Sequence, residues 1–232
     1  MKSNQRIWEI DFARGVAILL MIAFHLAFDL AEFYQQPITY KSGVIYYTGK
    51  AAAILFILLA GISSTFSSSN LLRGCKLILW GVIIWGVVGI AIPGSNIIYG
   101  ILHFLGSCII LQHLLKLNRL NTPALLLTAN LSIMLGIIFS RINMPNNILA
   151  PLGLTNANFF AVDYYPLFPW LGIFLLGLAL GKLLYAQPHR ISGAGRYNDP
   201  ISFLGRHSLT VYLLHQPVIL SLLFLLQQLK KC

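Results

Sequence analysis

Five ionisable residues line up along the first apolar stretch of the chain: Asp11, Arg14, His25, Asp29 and Glu32. At about 100° per residue, all five fall within a helical sector of about 60°. Ionisable groups in a membrane helix are costly and turn toward a cavity or toward one another, so this line marks a polar lining rather than a lipid-facing side. Arg14 precedes His25 by about 16 Å of helix at 1.5 Å per residue. A guanidinium near the start suits an anion, which it grips bidentately. An imidazole past mid-membrane suits proton transfer near neutral pH. Asp29 stands one turn beyond His25, the spacing at which a carboxylate orients an imidazole. We therefore read His25 and Asp29 as a general base and its support.

Further polar residues sit at a similar depth. His103 enters the fourth apolar segment, and Asp163 opens the run Asp163 to Trp170 at the start of the sixth. In the last segment Ser208, Tyr212 and His215 share one face, with Gln216 and Pro217 beside them. His103, Asp163, Tyr212 and His215 are the candidates for the acceptor side of a site. At the opposite end Arg14, Arg206 and His207 form a set suited to phosphate, with Arg6 and Arg73 as further candidates. Other chemistries lack their motifs. There is no glycine-rich phosphate loop, no Gly-x-Ser-x-Gly elbow and no HExxH. Cys75, Cys108 and Cys232 are scattered and odd in number, which argues against a disulfide framework and a zinc site; no metal is expected.

The elements that hold these residues must be membrane helices. Of 232 residues, 57% are hydrophobic and 9% charged, against about 25% charged in a soluble domain. So few charges cannot build a wet surface. Apolar runs of spanning length cover 12–33, 47–66, 76–93, 97–116, 122–140, 166–186 and 208–228. The expected fold is all-α, a bundle of about seven spanning helices, and the absence of a long linker makes 1–232 a single transmembrane domain. Segments three and four should form a hairpin across Pro93-Gly94-Ser95-Asn96. The net charge of +10 does not point to nucleic acid, because Lys and Arg lie between apolar runs and no basic, aromatic-interleaved stretch exists. Lys41, Lys50, Arg141, Lys230 and Lys231 fall on one side and the other eleven on the other, which puts the N-terminus inside and the C-terminus outside a cytoplasmic membrane.

The run from Arg6 to His25 resembles the opening of the heparan-α-glucosaminide N-acetyltransferase catalytic-domain family. Leu59 to Ser64, Gly100 to Phe104, Asp163 to Trp170 and Gly205 to Pro217 extend the resemblance in order over nearly the whole chain. The spacing from Arg14 to His25 is also similar to the first-helix signature of the acyltransferase family three membrane enzymes. The resemblance implies a polytopic acetyltransferase that takes acetyl-CoA from the cytoplasm and acetylates a sugar amine or hydroxyl across the membrane. Its partners would be membrane lipids, acetyl-CoA and a glycan or amino-sugar acceptor, with a homodimer allowed. It associates a first-helix histidine with the chemistry, and His25 occupies that place. The residue reading agrees in kind: a histidine base, or a histidine that carries the acetyl group as a covalent relay, lies one pantetheine length from the arginine. The competing reading is a proton-coupled carrier that uses the polar line of the first helix as an ion path.

Overall fold

The computed structural model describes residues 7–67, 69–92, 97–185 and 199–229. Those residues form helices α1 (Trp8–Glu32), α2 (Gly43–Ser64), α3 (Asn70–Ala91), α4 (Ile101–Leu114), α5 (Thr122–Phe139), α6 (Leu167–Leu184), α7 (Pro200–Arg206) and α8 (Ser208–Leu229). Two 3-10 turns, Leu117–Arg119 and Ala150–Leu152, punctuate the connections. No strand occurs among the described residues, where pairing is limited to isolated bridges such as Ile97 with Asp163. Six helices, all but α4 and α7, are long and apolar enough to cross a membrane. The protein is thus an all-α, multi-pass membrane protein, near the seven spans expected.

The differences are local. The fourth segment, expected over 97–116, is helical only from Ile101 to Leu114. Its 14 residues make about 21 Å, short of the roughly 30 Å hydrocarbon core. Left-handed backbone at Tyr99 (φ 57) and Lys116 (φ 51) stops it at both ends. The last segment is preceded by α7, which the apolar pattern did not reveal. The expected hairpin at 93–96, the loop with Arg190 and Arg196, Arg6, and the C-terminal lysines lie outside the described residues.

The chain packs as two compact units, residues 1–56 with 189–232, and residues 57–188. In the first unit α7 lies antiparallel against the start of α1, backbone to backbone. A Cβ at Gly15 would stand 2.0 Å from the Ile201 carbonyl oxygen, and one at Gly205 1.7 Å from that of Asp11. Only glycine permits that approach. Asp199 caps α7, accepting from the Ser202 backbone N–H at 2.8 Å, and also accepts from the Trp8 indole N–H at 2.9 Å. One carboxylate therefore starts α7 and pins it to α1. Hydrogen bonding from Ser202, helped by Trp8, holds the Asp199 carboxyl down to about 2.

The second unit uses the same device. Gly74 of α3 and Gly106 of α4 face each other, and a Cβ on either would come within 2.8 Å of the other's carbonyl oxygen. Helices in lipid gain little from apolar burial and associate through such small-residue contacts. A buried polar knot adds direction. Asn70 donates through Nδ2 to the Ser64 carbonyl at 2.9 Å and to Gln112 Oε1 at 3.0 Å, joining α3 to the end of α2 and to α4. Asn70 and Gln112 were not singled out by sequence, since an amide in an apolar run shows its use only when its partner is known.

Candidate functional site

The line of residues on α1 is real as a helical register, because α1 is continuous from Trp8 to Glu32. Its members do three different things. At the start, Asp11 is buried and its Oδ1 lies 3.3 Å from Arg14 Nη1, an i,i+3 ion pair that fixes one edge of the guanidinium. At the far end Glu32 is exposed; its Oε1 accepts from the Tyr40 hydroxyl and lies 3.8 Å from Lys41 Nζ. Glu32 is therefore a surface group and leaves the polar lining. Between them sit His25 and Asp29, and both meet α8.

Asp29 is fully buried. The expected hydrogen bond to His25 is not made: Asp29 Oδ1 accepts instead from Gln216 Nε2 at 2.6 Å. Helical spacing brings Asp29 near His25, but tertiary packing supplies a donor in better line. His25 is half-buried and turns to His215, with ring centroids 4.8 Å apart at 61°. His215 Nδ1 lies 2.6 Å from the Tyr212 carbonyl oxygen. A carbonyl only accepts, so that nitrogen carries the proton and Nε2 holds the lone pair. His215 Nε2, Gln216 Oε1 and Asp29 Oδ2 are buried and without a protein partner among the described residues. Buried polar atoms are almost always paired with protein, water or ligand, so each of these three has hydrogen-bonding capacity for a water or a bound molecule. Tyr212 is held at 5.5 Å from the His215 ring.

The proposed phosphate end is partly assembled. Gly205 touches the Asp11 carbonyl, so Arg206 lies at the same end of α1 as Arg14. The Arg206 guanidinium carbon stands 5.8 Å over the Phe203 ring, a cation–π contact. His207 is exposed and its Nδ1 lies 3.0 Å from the Phe203 carbonyl oxygen, which ties the ring to the end of α7.

His103 and Asp163 belong to the second unit. Asp163 Oδ2 accepts from the Ile101 N–H at 3.2 Å, in space that a Cβ on Gly100 would fill, and so caps the N-terminus of α4. Loss of surrounding water raises its carboxyl to about 6, with the Ile101 N–H pulling the other way. His103 follows half a turn later, stacked on Tyr99 at 6.2 Å, with Nδ1 buried and without a partner among the described residues. Arg73 is in the same unit, its Nη1 3.4 Å from Asn70 Oδ1. Gln216, noted beside His215 in the sequence but given no role there, is the member of the α1–α8 cluster that bonds Asp29. Its signal was a lone amide beside a histidine and before Pro217 in an apolar run.

No curated protein and no solved structure matches the chain. The profile of the family described as Heparan-alpha-glucosaminide N-acetyltransferase, catalytic, matches residues 6–217. That span begins just before α1, ends on the residue after Gln216, and includes Arg14, His25, Asp29, Arg206 and His215. A multi-pass helical protein with this match over most of its length belongs to the heparan-alpha-glucosaminide N-acetyltransferase catalytic family.

Proposed function

We propose that the protein moves an acetyl group from cytoplasmic acetyl-CoA to a sugar amine or hydroxyl at or beyond the outer half of the membrane, with residues 1–232 acting as one transmembrane acetyltransferase domain. Family membership supports the reaction class. The observation that carries the rest is the layout of α1, with Arg14 near one end and His25 about 16 Å further along. That length suits a pantetheine arm, its phosphates held by Arg14, Arg206 and His207 and its thioester delivered to His25. His25 acts there as general base or as covalent carrier of the acetyl group. Asp29 supports the site from the next turn. Tyr212 serves the acceptor side.

Binding is the first test. CoA or acetyl-CoA at micromolar concentration should raise the melting temperature of the purified protein in detergent, because a ligand that binds only the folded state stabilises it. Arg14→Ala should weaken that binding by about 1.5–3 kcal/mol, the scale of a charge-assisted hydrogen bond. A carrier that moves protons predicts no shift with CoA. Unchanged CoA affinity in a folded Arg14→Ala protein would reduce Arg14 to an anchor.

Sidedness rests on the Lys and Arg asymmetry, which supports an N-terminus in the cytoplasm. Asn146 is exposed in the connection after α5, on the outer side in this orientation. A cysteine there, in a background without other reactive cysteines, should react with a membrane-impermeant maleimide on intact cells. Labelling only after permeabilisation would reverse the orientation.

A further inference from the structure

We propose that His215 of α8 is a second catalytic residue, the group that takes the proton from the acceptor as it attacks the acetyl carbon. This rests on the acetyltransferase reading above. Three observations carry it. The Tyr212 carbonyl, 2.6 Å from Nδ1, fixes the tautomer and leaves the lone pair on Nε2. That Nε2 is buried and without a protein partner among the described residues. It belongs to the ring packed on His25, with centroids 4.8 Å apart.

The neighbours explain why the ring stays there. Gln216, the next residue, donates to fully buried Asp29 at 2.6 Å, a bond that crosses from α8 to α1 and sets the rotation of α8 about its own axis. Gln216 is thus a positioning residue. The atoms left over, His215 Nε2, Gln216 Oε1 and Asp29 Oδ2, are all acceptors. Each takes an N–H or O–H donor, which water supplies and which an amine or hydroxyl nucleophile supplies equally well.

The step balances in the relay route, in which His25 carries the acetyl group and so is not also the base. The acceptor's nitrogen or oxygen bonds to the acetyl carbon, its proton passes to His215 Nε2, and the bond from the acetyl carbon to the His25 ring breaks. His215 returns its proton to the thiolate or to water before the next turnover.

The test measures acetyl transfer by wild type, His215→Gln and His215→Ala in proteoliposomes. His215→Gln keeps a polar side chain of similar reach without a titrating nitrogen. Its kcat should fall at least about 100-fold, the scale of a general-base contribution, while KM for acetyl-CoA stays nearly constant. In His215→Ala, imidazole added to the buffer should restore part of the rate, and substituted imidazoles should restore it in order of basicity. A packing role would respond to the size of the added ring, not to its basicity. Wild-type kcat in His215→Gln, or rescue that ignores basicity, would overturn the assignment while leaving the acetyltransferase reading intact. A CoA-binding wild type that transfers no acetyl would overturn both.

Discussion

Replacing His25 with alanine should lower acetyl transfer by about 10²- to 10⁴-fold, the usual contribution of a positioned acid–base group. The loss grows larger where the histidine carries the acetyl group itself. CoA affinity should stay close to wild type, because Arg14, the proposed phosphate ligand, lies about 16 Å away along α1. The fold should survive as well. His25 is only half-buried, and the α1–α8 contact retains the 2.6 Å bond between Gln216 and Asp29. Asp29→Asn should cost less in rate, since an amide keeps the shape of the carboxyl group and loses only its charge. Radiolabelled transfer and CoA binding measured on the same preparation separate chemistry from binding. Wild-type transfer by a folded, CoA-binding His25→Ala protein would remove His25 from the mechanism.

Gly205→Val should be the most damaging substitution away from the α1–α8 cluster. A Cβ at Gly205 would stand 1.7 Å from the Asp11 carbonyl oxygen, and that oxygen is part of the α1 backbone. A flexible side chain could swing aside, but a helix backbone cannot. Helix α7 must therefore lift away, which also breaks the 2.9 Å bond from Trp8 to Asp199 and carries Arg206 off the end of α1. Overpacking a fitted contact costs about 1–3 kcal/mol, and this one belongs at or above the top of that range. The melting temperature in detergent should drop and CoA affinity should fall with it. Gly86, on α3, gives the contrast. Nothing lies within 4 Å of a Cβ there, so Gly86→Ala should be neutral or slightly stabilising. A Gly205→Val protein as stable as Gly86→Ala would mean that α7 does not seat on α1.

Seven of the eight helices among the described residues were legible because a spanning helix announces itself as a long apolar run. Helix α7 was not, since its seven residues make under two turns and show no period. Its trace was in the capping chemistry, with Asp199 before Pro200, the pattern of a helix start. The shortening of the fourth segment was hidden because its ends are set by left-handed residues, Tyr99 and Lys116, that nothing in their type requires. On α1, periodicity found His25 and Asp29 but assigned them to each other. Their actual partners, His215 and Gln216, are some 190 positions away in sequence, and only the packing of α8 on α1 pairs them. Glu32 shared the helical face, yet it lies at the exposed end of α1 beside Tyr40 and Lys41. Register gives a direction around a helix, and depth along it decides whether a charge meets protein or water.

The proposed reaction passes acetyl from CoA to an acceptor across the membrane. Proteoliposomes carrying the wild-type protein, loaded with amino sugars and small lipid-linked glycans and supplied outside with radiolabelled acetyl-CoA, test it most directly. Labelled, acetylated sugar should be recovered from the inside, with free CoA accumulating outside in equal amount. Unlabelled sugar inside, from a protein that binds CoA and remains folded, would contradict it.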